Sequence, residues 1–133
     1  MQKIIVFLII VLFTTCGFIK QKAFVYFFDR PVTVETTLSP VSTFEQGQRV
    51  YYLFFSKKKL KNKYVRVQLF KINDKIPQGG AEMLRVKEYR LMKDEMYYQT
   101  DYFVLHQSGR FVVQVYDPEN LKLPLARGEF KIR

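Results

Sequence analysis

Polar and apolar residues alternate along much of this chain with the two-residue period of a β-strand. Val32, Val34 and Leu38 share one face against Thr33, Glu35 and Thr37, which predicts a half-buried strand over residues 32–38. Tyr64 to Ile72 repeats the pattern, with Val65, Val67 and Leu69 set against Arg66 and Gln68. Arg110 to Tyr116 turns Phe111, Val113 and Val115 inward, and Leu125 to Arg133 alternates Gly128, Phe130 and Ile132 with Glu129, Lys131 and Arg133. Arg49 to Ser56 (RVYYLFFS) is apolar on both faces and only eight residues long, which suits a central strand better than a helix. Tyr97 to Leu105 reads as a further strand from its Tyr, Thr, Phe and Val content.

Turn residues punctuate these runs: Asp29-Arg30-Pro31 after Ala23 to Phe28 (AFVYFF), then Ser39-Pro40, Gln46-Gly47, Asn73-Asp74, Pro77-Gln78-Gly79-Gly80, Ser108-Gly109 and Asp117-Pro118. Ala81 to Met96 is built from helix formers, yet its apolar residues form no stripe at i, i+3, i+4. It reads as one strand with a bulge or two short strands, with a short helix linking two sheets as the alternative. About seven short strands over roughly 100 residues predict an all-β fold, an antiparallel β-sandwich.

Composition agrees. The chain has 133 residues, enough for one domain, and its 13 Phe and 9 Tyr favour strands. The segment ending in FVLHQSGRFVVQVYDPENLKLPLARGEFKIR resembles the closing strands of an immunoglobulin-like domain, in which a Gly ends one strand and an aromatic opens the next. The resemblance implies an immunoglobulin-like sandwich and no activity.

The N-terminus departs from this pattern. Lys3 precedes ten unbroken apolar residues, Ile4 to Phe13, which is the charge order and length of an export signal. The uncharged stretch ends at Ile19, and its helical length of about 24 Å falls short of a hydrocarbon core of about 30 Å. The junction Leu12-Phe13-Thr14-Thr15-Cys16-Gly17 resembles a bacterial lipoprotein lipobox, with Phe13 and Thr15 in places usually held by Leu and a smaller residue. The resemblance implies lipidation of Cys16, with ordinary cleavage or an uncleaved anchor as the alternatives. The expected organisation is a signal over 1–15, a lipidated Cys and tether over 16–29, and a sandwich over 30–133.

Charge and chemistry narrow the function. The net charge is +10, and Lys3 is the only charged residue among the first 16, so the exported part is strongly basic. Such a surface attracts polyanions. One His (His106) and one Cys (Cys16) leave no zinc set and no nucleophilic triad, and no G-x-S-x-G or phosphate loop occurs. Asp94, Glu95, Asp101, Asp117 and Glu119 fall mostly in predicted turns. The chain is therefore expected to be no enzyme and to need no cofactor or metal.

Two features stand out. Lys57, Lys58, Lys59, Lys61 and Lys63 crowd a seven-residue connection where two to five residues normally serve. They are either a solvated hairpin tip or a surface for anions. Tyr51-Tyr52 and Tyr97-Tyr98 would each put one ring on an outer sheet face, as recognition surfaces often do. The expectation is a lipid-anchored protein of the bacterial cell envelope that binds or supports a membrane-associated protein partner. The rival is a polyanion-binding module for lipopolysaccharide, anionic lipid or acidic glycan. Nucleic acid is an improbable ligand for an exported protein.

Overall fold

The computed structural model describes residues 22–75, 80–91 and 97–133. The expected signal over 1–15 and Cys16 lie outside the described residues, as do 76–79 and 92–96. Among the described residues, eight strands form two packed sheets: β1 (Ala23–Phe28), β2 (Thr43–Phe44), β3 (Arg49–Ser56), β4 (Tyr64–Ile72), β5 (Ala81–Arg90), β6 (Tyr98–Val104), β7 (Gly109–Tyr116) and β8 (Ala126–Ile132). The smaller sheet runs β1-β3-β6 and the larger β2-β8-β7-β4-β5. The fold is an all-β sandwich, as the alternation predicts. One pairing departs from antiparallel, since the short β2 lies parallel to β8 through Thr43↔Lys131 and Phe44↔Ile132.

The core lies between the sheets. Val25 and Phe27 of β1, Val50, Tyr52 and Phe54 of β3, and Phe103 of β6 meet Val65, Val67, Leu69, Phe111, Val113, Val115, Phe130 and Ile132 from the larger sheet. Phe130 is its hub, with ring centroids 4.8 Å from Phe27, 5.4 Å from Phe111 and 5.9 Å from Phe44. Gly128 explains how β1 and β8 come so close. A Cβ there would sit 2.9 Å from the Val25 carbonyl oxygen and 2.9 Å from the Phe27 ring.

The double-sided apolarity of β3 has a structural cause. Its other face joins Phe24, Phe28, Leu53 and Phe55 in a second buried cluster on the outer side of the smaller sheet. Tyr26, Val32, Tyr51, Tyr97 and Tyr98 pack against it. Alternation thus sends each side chain of β3 from Val50 to Phe55 to one of two clusters or their margins.

Two expectations are corrected. The sandwich begins at Ala23, because β1 pairs with β3 along its whole length, from Ala23↔Ser56 to Phe28↔Tyr51. The span 16–29 is therefore not all tether. Residues 32–38 form no strand but a turn closed by a 3₁₀ segment at Thr36–Leu38. Threonine hydroxyls capture the backbone there: Thr36 Oγ1 donates to the Pro31 carbonyl (3.0 Å) and accepts from the Thr33 N–H (2.7 Å). Thr37 Oγ1 donates to the Val34 carbonyl at 2.7 Å. Such local bonds compete with sheet pairing. The Ala81–Met96 segment resolves toward its strand reading. Ala81–Arg90 is one strand, with a register shift where Leu69↔Arg85 gives way to Phe70↔Met83, so that Leu84 bulges.

Candidate functional site

The lysine connection is not a hairpin tip. β3 lies in the smaller sheet and β4 in the larger, so residues 57–63 arch across the end of the sandwich. Packed sheets stand about 10 Å apart, which accounts for a connection longer than a hairpin needs. Leu60 packs against the main core at the centre of the arch. Asn62 fixes the far limb: its Nδ2 donates to Asp117 Oδ1 (3.2 Å) and its Oδ1 accepts from the Tyr64 N–H (3.0 Å). On the near limb, Ser56 Oγ donates to the Lys58 carbonyl (2.5 Å).

With the arch pinned by Leu60 and Asn62, Lys58, Lys59, Lys61 and Lys63 are exposed. Lys57 differs, since its ammonium lies 5.3 Å from the centroid of the Phe24 ring. Beneath the arch is an open cavity of about 390 Å³. Lys22, Lys58, Lys59 and Lys61 border it, Ala23, Leu60, Val65, Pro124 and Leu125 supply apolar walls, and Asp117 is the one acid in its lining. A neighbouring groove of about 490 Å³ shares Lys22, Ala23, Pro124 and Leu125 and adds Arg127. The arrangement suits a group with negative charge outside and apolar substance beneath.

The position of this site relative to the chain's start matters most. The Lys57 N–H donates to the Lys22 carbonyl at 2.8 Å, so the arch lies beside the point where the chain enters the first strand. Only five residues of sequence separate Lys22 from Cys16, and one of them is Lys20.

The four tyrosines singled out from sequence divide. Tyr51, Tyr97 and Tyr98 are half-buried against the outer aromatic cluster, and Tyr51 lies 5.6 Å from the exposed Tyr102 ring, over which Arg49 sits at 4.9 Å. Tyr52 is fully buried in the main core, stacked on Phe103 at 5.0 Å, and cannot belong to a recognition face. Its alternation with Tyr51 sends it inward beside Val50 and Phe54.

Tyr52 belongs to a polar cluster that sequence reading did not pick out. Gln99, Asp101 and Phe103 share the inner face of β6, and Asp101 accepts a short hydrogen bond from the Tyr89 hydroxyl of β5. Asp101 is thus a strand residue with a partner rather than a solvated turn acid. The Tyr52 hydroxyl and Gln99 Oε1 are buried and make no hydrogen bond of good geometry among the described residues, although the Tyr52 hydroxyl lies close enough to Tyr89 and Gln99 to feel both. Burial, reinforced by neighbouring Tyr89 and Asp101, holds the Tyr52 hydroxyl protonated well above the usual tyrosine range. Burial and the Asp101 bond push Tyr89 up to about 12. The detectable signal was Gln99 and Asp101 at inward positions of a strand, where polar residues need partners.

Removing the Tyr52 hydroxyl is expected to be harmless. Tyr52→Phe should leave neutral-pH stability within about 1 kcal/mol of the parent or raise it, because a buried hydroxyl whose contacts with Tyr89 and Gln99 are poorly aligned gains little from them. Above pH about 10 the unfolded chain loses tyrosine protons that the folded chain keeps, so stability falls as pH rises. The variant should show a shallower fall in urea titrations at alkaline pH. A neutral-pH loss above about 2 kcal/mol would mean the hydroxyl is bonded after all.

No protein-family model matches the chain, and no curated protein does. Solved structures of related shape include the alkylpurine DNA glycosylase AlkC of Pseudomonas fluorescens bound to DNA containing an abasic site analog, at 15% identity and a TM-score of 0.42. The match covers 86% of this chain and 31% of that one. A beta-glucosidase of Kluyveromyces marxianus matches at 15% identity and a TM-score of 0.41, over 86% of this chain and 14% of its own. The chain thus spans less than a third of either protein.

Proposed function

We propose that this chain is a non-enzymatic binding or accessory module of the bacterial cell envelope, anchored by lipid on Cys16, whose lysine arch rests on anionic head groups. The observation that carries the reading is the 2.8 Å bond between the Lys57 N–H and the Lys22 carbonyl, which sets the arch beside the entry to β1, the end of the domain nearest Cys16 in sequence. A tether of five residues reaches less than about 20 Å when extended. A domain so held keeps Lys22, Lys58, Lys59, Lys61 and Lys63 near the bilayer. Each basic residue within a Debye length of about 8 Å of an anionic surface gains about 1 kcal/mol. The apolar cavity walls behind these cations fit the acyl-glycerol part of a lipid better than a wholly polar glycan.

The immunoglobulin-like reading belongs to the same proposal. The strand order β1-β3-β6 facing β8-β7-β4-β5 supports it, with β5 as the extra strand that variable-type domains add beside their GFC sheet. Such scaffolds bind through ends and edges, with no catalytic group required.

Vesicle partitioning tests the reading. The chain lacking its first 16 residues should bind phosphatidylglycerol vesicles and ignore pure phosphatidylcholine. Replacing Lys58, Lys59 and Lys61 by Gln should weaken binding about 10- to 100-fold at low salt. Melting temperature should hardly move, since these side chains are exposed. Intact mass of the native protein should begin at an acylated Cys16. Equal partitioning of parent and variant would defeat the head-group role, and an unmodified N-terminus beyond residue 17 would defeat the anchor.

A further inference from the structure

The two sheets are unequal, and the fifth strand of the larger one overhangs the smaller. β5 pairs with β4 alone, from Tyr64↔Arg90 to Ile72↔Ala81, and ends the strand order of its sheet. Among the described residues no strand pairs with its other side. Nine of its ten residues are exposed, including Met83 (50%), Val86 (46%) and Leu84 (36%). A long edge with open N–H and C=O groups is a template for another strand. It contains no Pro to prevent pairing.

Charge selects the occupant. Arg85 and Lys87 lie opposite Leu69 and Val67 of β4, on the face toward the smaller sheet. Both rest on rings: the Arg85 guanidinium lies 5.6 Å from the Phe103 centroid, and the Lys87 ammonium 4.9 Å from that of Tyr89. A second copy is a poor fit. Antiparallel two-fold pairing keeps like faces together, so the registers with most overlap set Arg85 against Arg85 or Lys87, or Lys87 against itself. Like charges directly opposite are destabilising, and opposite charges stabilise a cross-strand pair.

We propose that the free edge of β5 takes up an extended segment of an acidic protein partner as a sixth strand, with carboxylates at alternate positions facing Arg85 and Lys87. Backbone bonds along the edge supply affinity, and the two cations supply selectivity. The edge meets the far limb of the lysine arch at its end, where the Leu91 N–H donates to the Lys63 carbonyl (2.6 Å), but Arg85 and Lys87 lie outside the arch and the proposal does not depend on the head-group reading.

A peptide alternating Glu with Val probes it, with one alternating Lys with Val as control, against the full chain in mild detergent. The acidic peptide should bind about tenfold more tightly and slow amide hydrogen exchange within residues 81–90. Arg85→Gln with Lys87→Gln should abolish the preference, and Arg85→Glu with Lys87→Glu should reverse it. Unchanged melting of the Gln pair secures the comparison. Equal affinity for both peptides, protection at residues 57–63 instead of 81–90, or no protection at all would overturn the proposal. So would a dimer of the unliganded chain with β5 amides already protected.

Discussion

A fragment beginning at Arg30 is expected to stay largely unfolded in buffer where one beginning at Lys22 unfolds cooperatively. The difference is β1. Its Phe24, Val25, Phe27 and Phe28 are each at most 7% exposed, two in the main core and two in the outer cluster. Burying a side chain of this size contributes about 1.5–3 kcal/mol, so four amount to about 6–12 kcal/mol. Domains of this length are stable by about 5–15 kcal/mol in total. The loss also uncovers the backbone edge of β3 and the buried faces of Leu53 and Phe55. Far-UV circular dichroism and urea titration of the two fragments decide the matter. Matching cooperative transitions would mean that β1 only decorates a sandwich complete without it.

The largest single-residue effect is expected at Phe130. Phe130→Ala removes a ring in contact with Phe27, Phe44 and Phe111, which come from β1, β2 and β7. Truncating a buried Phe costs about 3–5 kcal/mol, and a site walled by three other rings and two sheets has little room to collapse. The midpoint of urea unfolding should drop while the slope stays near that of the parent. A loss below about 1.5 kcal/mol would show that the neighbouring rings close the gap.

How much of this was legible follows from what a two-residue period can encode. Alternation places Phe111, Val113, Val115, Phe130 and Ile132 in one core because each strand has a wet face and a dry one. The same rule explains why Arg49–Ser56 reads as central, since it feeds two clusters. Alternation does not say which sheet a strand joins. The lysine segment therefore reads as a hairpin tip between neighbours, whereas β3 and β4 belong to opposite layers. At residues 32–38 the pattern is a good strand pattern, but Thr33, Thr36 and Thr37 bond their own turn, a preference invisible to hydrophobicity. For the candidate site, the charge of the arch was written plainly in five lysines. Its apolar floor was not, because Ala23, Val65 and Leu125 come together only through the strand order.

The contact at Gly128 also sets a timetable. β1 and β8 meet there across the two layers, and they stand at opposite ends of the described chain. Contacts so distant in sequence form late and slowly, because a long loop must close before they can stabilise anything. Until β8 is released from the ribosome, β1 lacks its neighbour across the layers, and the main core lacks Phe130 and Ile132. The unfinished chain therefore lacks the strand that completes its main core, and cooperative folding is expected only once that strand is present.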